Sequence, residues 1–246
     1  MRGVKPLLAS LLVAGSLLSS GCFRTSTPIR VVEYPANDDA RSETLVVMLP
    51  GFGDKPEDYQ SYGLVDDLRA QGLDLDVVAV DAHAGYYRTR SLLPRLHEDV
   101  LQPAKDAGYE QIWLVGISLG GLGVLLSAQE YEGLVDGIVL MSPWLGNRKV
   151  LQEIEAAGGP KTWTPPPPED RNYATELWSW IKPFTIEPED HVPLYLAYGE
   201  DEPRERFEVL AKALPKQRVL VVPGGGHNWQ TWQAAFPELL ERDALR

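Results

Sequence analysis

The chain has 246 residues, 44% hydrophobic and 24% charged, which fits one globular α/β domain with a full core and excludes a disordered or fibrous chain. With 35 acidic against 23 basic residues the net charge is −12, so nucleic acid and anionic headgroups are disfavoured as partners. Cys22 is the single cysteine; no disulfide can form within the chain, and stability must come from packing.

Residues 1–21 read as an export signal. Arg2 and Lys5 precede LLASLLVAGSLLSS, which is too short for a comfortable membrane span, and small residues lead to Cys22. The segment is similar to bacterial lipoprotein signals, although Ser19 stands where they most often have Leu. The resemblance implies that Cys22 becomes the lipid-bearing first residue of the mature protein. Phe23 replaces the Asp that would signal inner-membrane retention, which implies an outer-membrane address facing the periplasm. Arg2 and Lys5 leave with the signal and no acid does, so the net charge becomes −14. Membrane attachment is then expected through the lipid and not through a basic face.

Residues 22–28 form a polar tether, and residues 29–246 the domain. IRVVEY is predicted as an edge strand and TLVVMLPGFGD as a buried strand ending in a glycine turn. PEDYQSYGLVDDLRAQG is an amphipathic helix with acids in its first turn, followed by the strand LDVVAVDAH. LLPRLHEDVLQPAKDAGY is a helix bent at Pro103, QIWLVGIS a strand, LGGLGVLLSAQEYEG a helix and VDGIVLMS a strand. After residue 190 the order resumes with VPLYLAYG, RERFEVLAKAL, QRVLVVPGGG and QTWQAAFPELLERDALR. Near-continuous apolar strands alternating with helices imply a doubly wound, mostly parallel sheet covered on both faces. Residues 143–190 break the rhythm with two predicted helices around a TPPPP run, and are expected to form a small cap over the ligand end of the sheet.

The chemistry centres on GISLGG. A serine hydroxyl is a poor nucleophile unless the backbone lifts it out of the strand, which needs a sharp turn with no Cβ crowding it. Gly116 and Gly120 remove those side chains, making Ser118 a candidate nucleophile at a strand-to-helix elbow. Of four histidines, His83 follows the third strand, His97 lies on a helix and His191 ends the cap segment. His227, in PGGGHNW after the last strand, is the candidate base. Two backbone N–H groups are expected to receive a developing oxyanion, those of Leu119 and of Phe52 in the Gly51-Phe52-Gly53 loop. Asp81 and His83 are too few for a metal site, and no cofactor is required.

In that order and spacing PGFGD, GISLGG, YGEDE and GGGHNW resemble the α/β-hydrolase fold over about residues 29–245. Stretches such as DAHAGYYR, SPWLGNR and GHNWQTW also resemble a group of proteobacterial α/β-hydrolases. The resemblance implies Ser118 as nucleophile, His227 as base, and Phe52 and Leu119 as oxyanion donors. Pro50 stands where the family often has His. The acid that would orient His227 has two candidates: family spacing after Gly199 points to Glu202, whereas the usual residue type points to Asp201. Spacing is favoured, because turn geometry fixes which side chain faces the histidine. The implied activity is hydrolysis of a small-molecule carboxylic ester through an acyl-enzyme. A thioesterase, an acyltransferase or a catalytically weak binding lipoprotein are the alternatives. Trp144, Trp163, Trp178, Trp180, Trp229 and Trp232 follow the elbow, either lining a cleft or packing a core.

Overall fold

The computed structural model describes residues 24–37 and 40–246; the predicted signal and Cys22 lie outside the described residues. Among these, seven strands form one sheet: β1 (Val31–Tyr34), β2 (Thr44–Leu49), β3 (Leu75–Val80), β4 (Gln111–Ile117), β5 (Gly137–Met141), β6 (Leu194–Gly199) and β7 (Val219–Val222). The spatial order is β1-β3-β2-β4-β5-β6-β7. Every neighbouring pair is parallel except β1 with β3, so IRVVEY is the antiparallel edge strand expected of it.

The strands are apolar on both sides because both sides are covered. Leu45, Val47 and Leu49 of β2 share one core with Ile112 and Leu114 of β4, while Val46 and Met48 share the other with Trp113, Val115 and Ile117. This is the two-residue period of a strand applied to residues that are all hydrophobic. The second core is closed by α1 (Asp58–Ser61) and α2 (Leu64–Ala70), which contribute Tyr59 and Leu68. The first is closed by α3 (Ala84–Arg88), α4 (Leu92–Leu96), α5 (Gln102–Ala107), α6 (Leu119–Glu130), α7 (Arg148–Ala156), α8 (Tyr173–Ile186) and α9 (Glu208–Ala211). The last helix, α10 (Trp229–Glu241), returns to the second core with Trp232 and Phe236.

One expectation needs refinement. The helix over 92–109 is α4 and α5 joined by a π-helical turn, His97–Leu101, so the irregularity lies upstream of Pro103. Proline cannot donate to the carbonyl four residues back and crowds it, and the widened turn falls where that bond is lost. The segment 143–190 carries two α-helices, as predicted, and its residues 143–148 and 151 line the cavity that also holds Ser118 and His227. α8 packs on α6 and buries Leu177, Trp178 and Ile181 in the first core, and Trp178 Nε1 donates to the Leu145 carbonyl at 2.7 Å.

Pairing also decides where the site must be. β2 and β4 are neighbours with Leu49 opposite Gly116, so the PGFG loop leaves the sheet beside the serine elbow. The turns after β5, β6 and β7 open on the same carboxyl edge, where ligands bind in doubly wound sheets.

Candidate active site

Ser118 joins β4 to α6 with φ 51° and ψ −111°, a conformation that L-residues rarely adopt. Such strain costs on the order of 1–3 kcal/mol and persists only where the surroundings impose it. Here the Ser118 N–H donates to the Met141 carbonyl at 2.9 Å, and the Ser118 carbonyl accepts from Trp144 and Gly121. The glycines answer to space: a Cβ on Gly120 would lie 1.9 Å from the Leu49 carbonyl oxygen, and one on Gly116 would lie 2.6 Å from that of Gly120. The helix can therefore start directly against β2.

His227 stands on the loop between β7 and α10, whose start is capped by Asn228 accepting from the Thr231 N–H. Its Nε2 lies 2.9 Å from Ser118 Oγ and its Nδ1 lies 2.6 Å from Glu202 Oε2. Glu202 is buried, only 4% exposed. Its Oε1 accepts from the Gly199 N–H at 2.9 Å and from Ser142 Oγ at 2.5 Å. Trp232 Nε1 in turn donates to Ser142 Oγ at 2.9 Å. Because an indole N–H can only donate, the Ser142 proton goes to Glu202. Oε2 is then left to accept from Nδ1–H, and Nε2 is free to accept from Ser118. Burial pushes the Glu202 carboxyl up, but the hydrogen bonds from His227, Ser142 and Gly199 outweigh it and hold the group below the usual glutamate value.

Asp201 is not brought to the histidine. It is exposed, and its backbone N–H is bonded to the Gly225 carbonyl. The tight turn after β6 sends successive side chains in different directions, so the expectation that Asp201 could serve as the orienting acid does not match the geometry. Phe52 and Leu119 line the same cavity as Ser118 and His227. Phe52 is exposed and lies in the Gly51-Phe52-Gly53 loop that leaves β2 beside the serine elbow.

The cavity measures about 630 Å³ and is walled by Phe52, Trp144, Leu145, Leu151 and Phe207. Among the described residues Trp144 is the tryptophan that reaches it. Trp163 and Trp178 are buried in the first core, and Trp180 donates to Glu132. The other histidines do structural work: His83 caps α3 by accepting from Gly85, His97 stacks on Tyr131, and His191 stacks on Phe184.

Sequence reasoning did not single out Ser142, itself at φ 48°, or the polar role of Trp232. It also passed over Asp54, which folds over Gly51 and accepts from Trp229 Nε1 at 3.1 Å, tying the PGFG loop to α10. Burial, opposed by that hydrogen bond, holds the Asp54 carboxyl above its usual value. These three act between elements distant in sequence, and only the serine after a strand end was a visible signal.

The fold is shared with solved structures of low identity. Est1E from Butyrivibrio proteoclasticus matches with a TM-score of 0.55 at 19% identity, covering 87% of this chain and 95% of that one. The fluorophosphonate-binding serine hydrolase F of Staphylococcus aureus matches with 0.53 at 14%, covering 90% and 96%. A Paleococcus ferrophilus monoacylglycerol lipase matches with 0.53 at 16%, covering 87% and 99%. Among curated proteins none matches the chain. The model of the alpha/beta hydrolase family matches residues 46–242, and with the doubly wound sheet and the serine elbow on its carboxyl edge, the chain belongs to that family.

Proposed function

We propose that the protein is a serine hydrolase acting on carboxylic esters. The observation that supports this reading is the hydrogen-bonded series Ser118, His227 and Glu202 opening into an apolar-walled cavity. As Ser118 Oγ attacks the ester carbonyl carbon, His227 Nε2 takes its proton, and the N–H groups of Phe52 and Leu119 receive the oxyanion. The adduct collapses when His227 protonates the departing alkoxide, leaving an acyl-serine. Water then attacks with His227 again as base, releasing the carboxylic acid and restoring the hydroxyl. Glu202 holds the required tautomer and stabilises the transient imidazolium. Each oxyanion donor in such a site contributes about 100- to 1,000-fold in kcat.

The name of one structural neighbour, a fluorophosphonate-binding serine hydrolase, suggests the test. A fluorophosphonate probe should label the folded protein, p-nitrophenyl butyrate should be hydrolysed, and Ser118→Ala should lose both. A folded wild-type protein that neither labels nor turns over would refute the proposal.

A further inference from the structure

Two arginines line the cavity that holds Ser118 and His227: Arg148, the first residue of α7, and Arg206, at the end of the short 3₁₀ turn Arg204–Arg206. Among the described residues neither guanidinium has a hydrogen bond or an ion pair, although acids outnumber bases in the chain by 35 to 23. Their neighbours behave differently. Lys149 pairs with Glu153, Arg204 with Glu200, and Lys212 with Glu208. These three cations, two of them within two residues of the cavity arginines in sequence, are each matched with an acid four residues off, while Arg148 and Arg206 are not. Four residues from Arg148 stands Gln152, and four before Arg206 stands Glu202, which is buried and committed to His227. One carboxylate, Glu205, also lines the cavity, leaving the lining positive by one charge. The same cavity, which holds Ser118, is also lined by the apolar side chains of Trp144, Leu145, Leu151 and Phe207.

Resting on the ester-hydrolase reading, we infer that the substrate carries an anionic group, a carboxylate or a phosphate, separated from the scissile ester by an apolar spacer, and that Arg148 and Arg206 receive it. A guanidinium forms paired hydrogen bonds to either oxyanion, and a bound substrate that covers exposed arginines strengthens those bonds by excluding water. Uncovered cations at the mouth of the cavity in an acidic protein would also draw anionic substrates toward it.

The test compares isosteric pairs. In the carboxylate arm, mono-p-nitrophenyl glutarate and suberate are set against p-nitrophenyl valerate and octanoate. In the phosphate arm, a 1-acylglycerol 3-phosphate is set against the matching 1-monoacylglycerol. The wild type should favour the anionic ester in one arm by about tenfold or more in kcat/KM, and which arm responds identifies the group. In the Arg148→Gln, Arg206→Gln double variant, shown to be folded by circular dichroism, that ratio should fall to about one. The double Lys variant should retain part of it, and added salt should erode it in the wild type. Equal or better hydrolysis of the neutral ester in both arms overturns the inference, as does an anionic preference that survives in the double Gln variant. Neither outcome touches the ester reading. Absence of any hydrolysis together with absence of labelling at Ser118 overturns both.

Discussion

At the scale of single residues, the site turns on how one carboxylate is held. Glu202 has its four neighbours at hydrogen-bond distance or one step beyond, and Asp201 beside it has none of them. Glu202→Gln should therefore lower kcat by about 100- to 10,000-fold with KM little changed, while Asp201→Asn stays near wild type. Steady-state kinetics on a p-nitrophenyl ester decides this, and a severe defect in Asp201→Asn would contradict the geometry. The same hydrogen bonds make Glu202 a source of pH-dependent stability. Its folded pKa lies below the ordinary value, so the stabilisation is complete above the unfolded glutamate pKa of about 4.3. It is lost as the pH falls through the folded pKa. Melting temperatures of wild type and Glu202→Gln should differ at pH 6 and converge toward pH 3. Parallel curves would show that the network adds nothing to folding.

At the scale of elements, the elbow depends on α6 starting in contact with β2. The Leu49 carbonyl at 1.9 Å from a Gly120 Cβ is backbone in a central strand and cannot yield. Gly120→Ala should cost about 3 kcal/mol or more and slow fluorophosphonate labelling, because the helix must retreat and carry Ser118 with it. A variant that melts and labels like wild type would show that the helix can shift freely. The second linkage runs from α8 to the cavity wall. Trp178 is fully buried and donates to the carbonyl of Leu145, whose side chain lines the cavity. Trp178→Phe leaves that carbonyl without its donor and opens a small void, for a loss of about 2–4 kcal/mol. A melting temperature lower by roughly 5–15 °C is expected, with KM raised more than kcat is lowered, since the wall moves and the hydrogen-bonded series does not.

At the scale of the whole molecule, the domain begins a few residues after Cys22, and its N-terminal stretch is held to the body. The Ser26 N–H donates to the Tyr86 hydroxyl and the Ile29 N–H to Asp99. We propose that Cys22 carries lipid and that this short tether keeps the hydrolase close to an envelope membrane that its acidic surface would not seek. Expressed in a bacterial host, the wild type should partition into detergent, and Cys22→Ser should be soluble or remain unprocessed. A mature N-terminus elsewhere than Cys22 would refute it.

What the sequence determined by itself is the part written in local pattern. A short continuous apolar run such as QIWLVGI, rich in β-branched and aromatic residues and followed by a glycine-containing turn, reads as a strand covered on both faces, so the parallel sheet, its helices and the elbow at Ser118 were legible from residue order alone. His227 was legible because it follows the last strand on a glycine loop. The structure alone decided what depends on direction in space. Glu202 and Asp201 are adjacent and chemically near-equivalent, and only the turn after β6 determines which carboxylate is buried against the imidazole. Ser142 meets Glu202 from 60 residues before it, and Trp232 meets Ser142 from the last helix, and no periodicity records such meetings. The pairing of Lys149 and Arg204 with nearby acids was open to sequence inspection, but that Arg148 and Arg206 face one cavity was not. The reason is common to all of these: hydrogen bonds and charges act over a few ångströms in three dimensions, and the chain brings those ångströms together only when both faces of the sheet are packed.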